Sequence, residues 1–130
     1  MATGIRSMPV LPTRDVDTTA RFYADVLGFD TNGFFRDGDG PAFFAIVGLG
    51  TVTIGLQKLE TFSVHEGTVA YIYVDDAQAL ARRIADAGGV LRHEPHETFY
   101  GILEFDLVDP EGHVIAFGQD LNPGPDGPGL

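Results

Sequence analysis

The segment VLPTRDVDTTARFYADVLGFD, residues 10–30, decides the fold because a diverged copy of it, YIYVDDAQALARRIADAGGV, occupies residues 71–90. Each copy starts with strand-forming residues and continues through an aspartate suited to cap a helix. Apolar residues then recur at helical spacing, and a glycine ends the pattern. The capping aspartates are Asp15 in the first copy and Asp75 or Asp76 in the second. An internal repeat of this kind predicts two copies of one folding unit.

After each predicted helix the sequence indicates three further strands, so each half has the order βαβββ. The repeats span about residues 5–57 and 68–119 within one domain of residues 1–121, and residues 122–130 are predicted to form a disordered tail. We therefore predict an α+β fold, with one helix packed on each of two curved antiparallel sheets and a concave ligand cleft. The predicted strands are residues 5–12, those around 34–35, 42–50 and 51–57 in the first half, and 68–74, 90–94, 102–108 and 113–119 in the second.

The composition narrows the class of partner. The chain has 130 residues, 44% of them hydrophobic, and no cysteine, which excludes disulfides and thiolate catalysis. Its net charge of −11 predicts no binding to nucleic acid or to anionic membranes. The acidity would attract a cationic ligand or only keep the protein soluble, and both interpretations stay open. No signal peptide is visible, so we predict a cytoplasmic protein.

The two-fold βαβββ pattern resembles the vicinal oxygen chelate superfamily, which includes glyoxalase I, extradiol dioxygenases and bleomycin resistance proteins. The resemblance covers residues 6–119 and is strongest in VLPTRDVDTTARFYADVLGFD and in DPEGHVIAF, residues 109–117. It implies the corresponding fold. It also implies a metal held by His or Glu at four inward-facing strand positions, two in each repeat.

The four positions that correspond to those ligands hold Met8, Gly55, Val69 and Ala116. Hard divalent metals require oxygen or nitrogen donors, which none of these side chains supplies. The sequence therefore predicts no metal, no cofactor and no catalytic residue at this place. It favours the binding branch of the superfamily over its enzymes.

Three stretches resemble the bleomycin resistance proteins: MPVLPTRDVD at residues 8–17, TVAYIYV at 68–74 and FYGILEF at 99–105. The resemblance implies a metal-independent protein that sequesters a bleomycin-type glycopeptide antibiotic, a cationic aromatic ligand. It also implies a homodimer with its clefts between the chains. A flat heteroaromatic group binds well against aromatic rings, each stacked pair adding roughly 0.5–1.5 kcal/mol beyond burial.

Candidate ligand residues follow from the same resemblance. Tyr100 stands at the stacking Trp position, between Phe99 and Gly101. If Val69 faces the cleft, the tyrosines two and four residues later do so too, because strand side chains alternate. The complete set is Asp30, Phe35, Asp37, Phe44, Tyr71, Tyr73, Phe99, Tyr100 and Gly101, of which Asp30 and Asp37 would meet the cationic part.

Two other functions stay open: an enzyme on this fold, either metal-free or with a displaced metal site, and a binder of another aromatic natural product. RHEPHE, residues 92–97, holds His93 and His96 and would suit a transition metal. Pro95 would break a helix that brought the two together, so we predict a solvated loop. His113 is predicted to bond locally or to face solvent, and Phe22, Phe29, Phe105 and Phe117 are predicted core residues.

Overall fold

The computed structural model describes residues 1–124, so most of the predicted tail, residues 125–130, lies outside the described residues. Each half has the predicted order of one strand, one helix and three strands. No helix among residues 1–124 is long and apolar enough to cross a membrane. The elements are β1 (Val10–Thr13), α1 (Val16–Asp25), β2 (Asp30–Arg36), β3 (Ala42–Leu49), β4 (Val52–Lys58), β5 (Thr68–Tyr73), α2 (Ala77–Asp86), β6 (Leu91–Glu97), β7 (Ile102–Val108) and β8 (Val114–Asp120).

The strands form two four-stranded sheets, ordered β1-β4-β3-β2 and β5-β8-β7-β6. The first strand of each repeat lies parallel to the last, β1 to β4 and β5 to β8, and the other pairs are antiparallel. The predicted α+β fold with a helix on each sheet is confirmed. The sheets are mixed rather than purely antiparallel, because a helix connects each first strand to the rest of its sheet.

Both predicted helix starts are confirmed. The Asp15 carboxylate accepts a hydrogen bond of 3.0 Å from the Thr18 backbone N–H, and Asp76 accepts one of 3.0 Å from Ala79. The structure thus selects Asp76 over its neighbour as the second cap. Gly28, with a φ of 78°, follows the first helix and supplies the left-handed backbone that ends it.

One hydrophobic core joins the two halves. Alternate residues of the central strands point into it from both sheets, such as Leu56 of β4 and Phe117 of β8, each fully buried. Tyr23 of α1 crosses between the halves, since its hydroxyl donates a 2.9 Å hydrogen bond to the Asp109 carboxylate in the β7–β8 turn. Of the predicted core phenylalanines, Phe29, Phe105 and Phe117 are buried and Phe22 is partly buried against the core.

Two predicted strand boundaries were wrong. The first strand begins at Val10 rather than Ile5, which is 93% exposed. Pro9 has no N–H to pair, and only its carbonyl joins the sheet, accepting a 2.9 Å bond from Gly55. The predicted loop at residues 92–97 is instead part of β6. The strand tolerates Pro95 because this residue lies where the register against β7 shifts, so that a missing N–H does not interrupt regular pairing.

Candidate functional site

The predicted ligand residues fall into two groups, each on the face of a sheet that points away from the shared core. The first group lies on β2, on β3 and in the turn after β2, and the second lies on β5 and in the loop before β7. Among residues 1–124, the strands of one sheet make almost no direct contact with the strands of the other. A single chain therefore presents two separate aromatic surfaces.

The first surface is a groove of about 420 Å³ lined by Phe35, Phe43, Phe44, Ile46, Gln57 and Lys58, which we call the phenylalanine face. Phe35 and Phe44 lie opposite one another in the β2–β3 ladder, with their rings 6.0 Å apart and edge to face. Phe35 is 47% exposed and Phe43 46%. The groove has the flat apolar walls that suit an aromatic ligand.

Sequence reasoning missed Phe43 as a groove residue. In a regular strand, neighbouring side chains point to opposite faces, so Phe43 and Phe44 would not line one surface. A register shift between Phe35 and Arg36 inserts an extra residue into the pairing and lets both phenylalanines line the groove. The pairing partner decides this arrangement, and the local sequence does not show it.

The two predicted cation-binding acids lie outside the groove lining. Asp30 stands at the start of β2, opposite Gly48, whereas Phe35 lies near the other end of that strand. Asp37 follows β2 in the exposed turn, where its carbonyl accepts a 3.2 Å hydrogen bond from Gly40. A role for either acid stays a prediction.

The second surface is organised around a glutamate. Oε1 of Glu104 accepts hydrogen bonds from the hydroxyl groups of both Tyr71, at 2.6 Å, and Tyr100, at 2.8 Å. The ring of Tyr73 lies 5.2 Å from that of Tyr71 and is tilted by 57°. We call these four residues the tyrosine cluster. Its three rings are each about 40% exposed and so remain accessible to a ligand.

The cluster carries a single negative charge, on Glu104. Burial and the hydrogen bond to Glu104 raise the pKa of Tyr71, and the same carboxylate is the main cause that raises the pKa of Tyr100. Both phenols therefore stay neutral and donate their protons to one carboxylate oxygen. Cations are attracted both to a carboxylate and to the faces of aromatic rings, so this surface suits a positively charged aromatic group.

Glu104 was not among the predicted ligand residues, although the sequence contained a signal for it. In ILEFDLV the buried Phe105 fixes one face of β7, so Glu104 and Asp106 must point to the other face. That is also the outer face on which Tyr71 stands. The alternation alone gives the orientation, whereas the two hydroxyl contacts need the neighbouring strand and loop.

The loop that presents Tyr100 is a tight turn. Thr98 N–H donates to the Ile102 carbonyl at 2.9 Å, and Gly101 N–H donates to the Thr98 carbonyl at 3.1 Å. Gly101 has a φ of 81°, which a residue with a side chain rarely adopts. Phe99 is fully exposed, and its ring meets that of Tyr100 edge to face at 5.0 Å. Phe99, Tyr100 and Gly101 thus form one aromatic tip beside the cluster.

The four superfamily metal positions do not fit a metal ion. A Cβ on Gly55 would lie 2.7 Å from Phe44 Cζ and 3.2 Å from Met8 Cε. Apolar side chains therefore fill the space around the two ligand positions of the first repeat, Met8 and Gly55. Ala116 lies opposite Asp106, an acid that sequence reasoning overlooked because it is on the adjacent strand. Asp106 is already bonded to Arg92 and His93. No group of three or more His, Asp or Glu within residues 1–124 is arranged to hold a metal ion.

His113 is 3% exposed, so the solvent-facing alternative was wrong. Its backbone N–H donates to Asp109 at 3.0 Å, and its Nε2 lies 2.7 Å from the Pro12 carbonyl. The imidazole also stacks on Phe62, with the ring centres 5.9 Å apart. His113 therefore joins the β7–β8 turn to the end of β1 and takes no part in either aromatic surface.

Comparison with known proteins decides the family. The sequence profile of the Glyoxalase/Bleomycin resistance protein/Dioxygenase superfamily matches residues 7–117. The chain belongs to this superfamily. A protein of Mycolicibacterium smegmatis is 30% identical over 114 residues, which cover 88% of this chain and 92% of that protein.

Several solved structures share the fold of this chain. A glyoxalase-related enzyme from Clostridium phytofermentans superposes with a TM-score of 0.78 at 17% identity, covering 92% of this chain and 97% of that one. TnmS3, an antibiotic binding protein from Streptomyces sp. CB03234, superposes with a TM-score of 0.65 at 20% identity, covering 92% and 99%. The superfamily fold thus occurs both in a glyoxalase-related enzyme and in an antibiotic-binding protein, so the side chains of each site must distinguish the two functions.

Proposed function

We propose that this protein is a non-catalytic, metal-independent binder that sequesters a flat, cationic aromatic antibiotic, with bleomycin-type glycopeptides as the first candidates. The tyrosine cluster is the observation that carries this proposal. It combines three accessible aromatic rings with one carboxylate, and its two hydrogen-bonded phenols stay neutral and so lack the charge of a nucleophile or base. Such a surface is suited to recognition by stacking and charge.

The superfamily metal positions support the same function. An enzyme that depended on a metal there would need carboxylates or imidazoles, whereas Phe44 and Met8 crowd Gly55. The replacement of ligands by an apolar floor favours binding over metal-assisted chemistry. The antibiotic-binding TnmS3 shows that this fold accommodates such a function in a relative.

The two aromatic surfaces also support a homodimer. One chain holds the phenylalanine face and the tyrosine cluster on different sheets, and each alone is shallow and open. A second copy that set its phenylalanine face against the tyrosine cluster of the first would enclose a ligand between aromatic walls. A two-fold symmetric pair would create two such clefts, because each contact occurs twice.

Isothermal titration calorimetry with metal-free bleomycin tests the proposal. We expect binding at about micromolar affinity or tighter, roughly −8 kcal/mol, with two sites per dimer and a higher melting temperature. A parallel thermal-shift screen of other aromatic antibiotics separates the bleomycin class from other natural products. If no antibiotic in the panel changed the melting temperature, sequestration would be wrong. One tightly held metal per purified chain together with turnover would favour an enzyme.

Matched variants test the residues. Tyr100→Ala should weaken binding about three- to tenfold through lost stacking, whereas Val90→Ala, at an exposed position before β6, should not. Phe35→Ala should weaken binding too, while Phe34→Ala serves as its control. Phe34 is exposed to a similar extent, 41%, but stands opposite Ala45 and so points to the other side of the sheet. Equal affinities within both pairs would overturn the assignment of these surfaces.

The charge is tested separately. Glu104→Gln keeps the shape and still accepts a tyrosine proton but removes the negative charge. The variant should lower the affinity for a cationic ligand by about tenfold or more, since hydrogen bonds to charged groups contribute roughly 1.5–3 kcal/mol. Glu97→Gln on β6 removes the same charge from the exposed protein surface and should have little effect. An equal loss in both variants would mean that only the overall acidity attracts the ligand.

A further inference from the structure

His93 and His96 lie on one face of β6, although they are three positions apart in the sequence. In a regular strand this spacing would turn the two imidazoles to opposite faces of the sheet. The register against β7 shifts between them, so that His93 stands opposite Asp106 and His96 opposite Glu104. Three steps along β6, from His93 to His96, thus match two steps along β7, from Asp106 to Glu104. Pro95 lies in this irregular stretch, and proline is common at such bulges.

Both imidazoles are held by the same kind of contact. Nδ1 of His93 lies 2.7 Å from the Asp106 carboxylate, and Nδ1 of His96 lies 2.8 Å from the Glu94 carbonyl. Carboxylate and carbonyl oxygens only accept hydrogen bonds, so both protons sit on Nδ1. Within residues 1–124, neither Nε2 has a hydrogen-bond partner, so both are open to coordinate an ion. This is the outer hydrogen bonding that orients histidine ligands in metal sites.

The spacing of the two rings suits a shared ion. Their centres lie 6.5 Å apart, with planes inclined by 67°. Metal–nitrogen bonds of about 2.0–2.1 Å would place two such ring centres roughly 5–6.5 Å apart, depending on the angle at the metal. The observed separation corresponds to two nitrogens on opposite sides of the ion, the trans arrangement that tetragonal Cu²⁺ and Ni²⁺ sites accommodate.

The surroundings favour a cation and leave room for it. The two histidines, Glu104 and Asp106 line a depression of about 280 Å³. The nearby cation Arg92 is paired with Asp106 at 2.6 Å, which offsets its repulsion. The chain as a whole carries a net charge of −11.

We propose that His93 and His96 bind one divalent transition-metal ion through their Nε2 atoms, with Asp106 as a positioning residue and the remaining coordination positions open. Imidazole nitrogens suit copper, nickel and zinc, and affinities should follow the order in which Cu²⁺ exceeds both Ni²⁺ and Zn²⁺. The site is separate from the four superfamily positions and does not depend on the proposed antibiotic binding.

Titration of the purified full chain with Cu²⁺ alone, followed by electron paramagnetic resonance, tests the proposal. The wild-type spectrum should show one ion per chain with splitting from two nitrogen ligands. His93→Gln and His96→Gln should each lose the two-nitrogen signal, and the double variant should lose the site. His65→Gln, which removes an exposed histidine between β4 and β5, is the matched control and should bind like wild type.

Asp106 gives a second, independent readout. Asp106→Ala should weaken Cu²⁺ binding about 10- to 100-fold, the usual effect of losing an outer hydrogen-bond partner. Asp106→Asn should recover part of that loss, because its amide oxygen still accepts the Nδ1 proton. A double histidine variant that kept the wild-type affinity and two-nitrogen spectrum would overturn the site. Equal affinities of wild type and Asp106→Ala would overturn the positioning role.

Discussion

The two half-units of this protein share one architecture but differ in the chemistry of their outer faces. The first sheet presents phenylalanines and Lys58 around its groove, whereas the second presents tyrosines, histidines and the carboxylates of Glu104 and Asp106. Their buried faces are similar, since both contribute alanine, isoleucine, leucine, valine or phenylalanine to one core. The difference teaches that the core preserves the repeated fold, while the outer faces are free to diverge toward function.

The largest loss of stability should come from truncating a buried core side chain in either half. Phe117→Ala on β8 should lower the free energy of unfolding by about 3–5 kcal/mol, and Leu56→Ala on β4 by about 2–5 kcal/mol, because both side chains are fully buried. Since one core joins the halves, each variant should still unfold in a single cooperative transition in urea. Two separate transitions in either variant would show that the halves are independent domains.

The contact between the halves can be broken at one hydroxyl. Tyr23→Phe removes the hydroxyl that donates a hydrogen bond to Asp109 across the two units. The Asp109 carboxylate, which is 4% exposed, then has one hydrogen-bond partner fewer. We expect a loss of about 1.5–3 kcal/mol in the free energy of unfolding. Tyr73→Phe, which removes an exposed hydroxyl, should change stability little. A Tyr23→Phe protein as stable as wild type would mean that the bond adds nothing to the joining of the halves.

Two glycines on the last strands of the two repeats, β4 and β8, test the outer faces directly. A Cβ on Gly55 would meet Phe44 Cζ at 2.7 Å, and one on Gly118 would meet Tyr71 Cζ at 2.9 Å. Gly55→Ala and Gly118→Ala should each displace the ring above and lower stability by about 1–3 kcal/mol. Gly118→Ala should also weaken antibiotic binding through the tyrosine cluster. Gly33→Ala on β2 is the control, because the nearest atom to its added Cβ lies 3.9 Å away and Gly33, like the two test glycines, has no positive φ.

The smallest effect should be a pH dependence at Asp109. Burial raises the pKa of this carboxyl, outweighing the hydrogen bonds that lower it. The unfolded chain therefore releases its proton at lower pH than the folded protein, and stability falls as the pH rises from about 4 through the folded pKa. Each unit of difference corresponds to about 1.4 kcal/mol.

Asp109→Asn isolates this contribution. Its amide oxygen can still accept from Glu111 and His113, the two backbone donors to Oδ1, while the amide nitrogen faces the Tyr23 hydroxyl. Urea unfolding between pH 4 and 7 should show the variant gaining stability relative to wild type as the pH rises. A constant difference across that range would contradict a raised pKa.

Much of the fold followed from short-range patterns. Asp15 and Asp76 cap helices, Gly28 ends one, and Phe105 and Phe117 are buried, as predicted for apolar aromatic residues. These features depend on residues within a few positions of one another, so the sequence contains their cause. The predicted start of the first strand was wrong because an edge strand that contains proline has few local constraints. The length of this strand depends on which of its residues pair with β4.

The sequence by itself determined the repeat, the two helices and the apolar faces that form the core. Only the tertiary structure decided that Glu104 receives two tyrosine protons, that His93 and His96 share a face, and that the two aromatic surfaces are separate in one chain. Each of these depends on strand register, a bulge or a loop from a distant part of the sequence. A one-residue change in pairing reverses which face a side chain occupies, and local periodicity does not record that change.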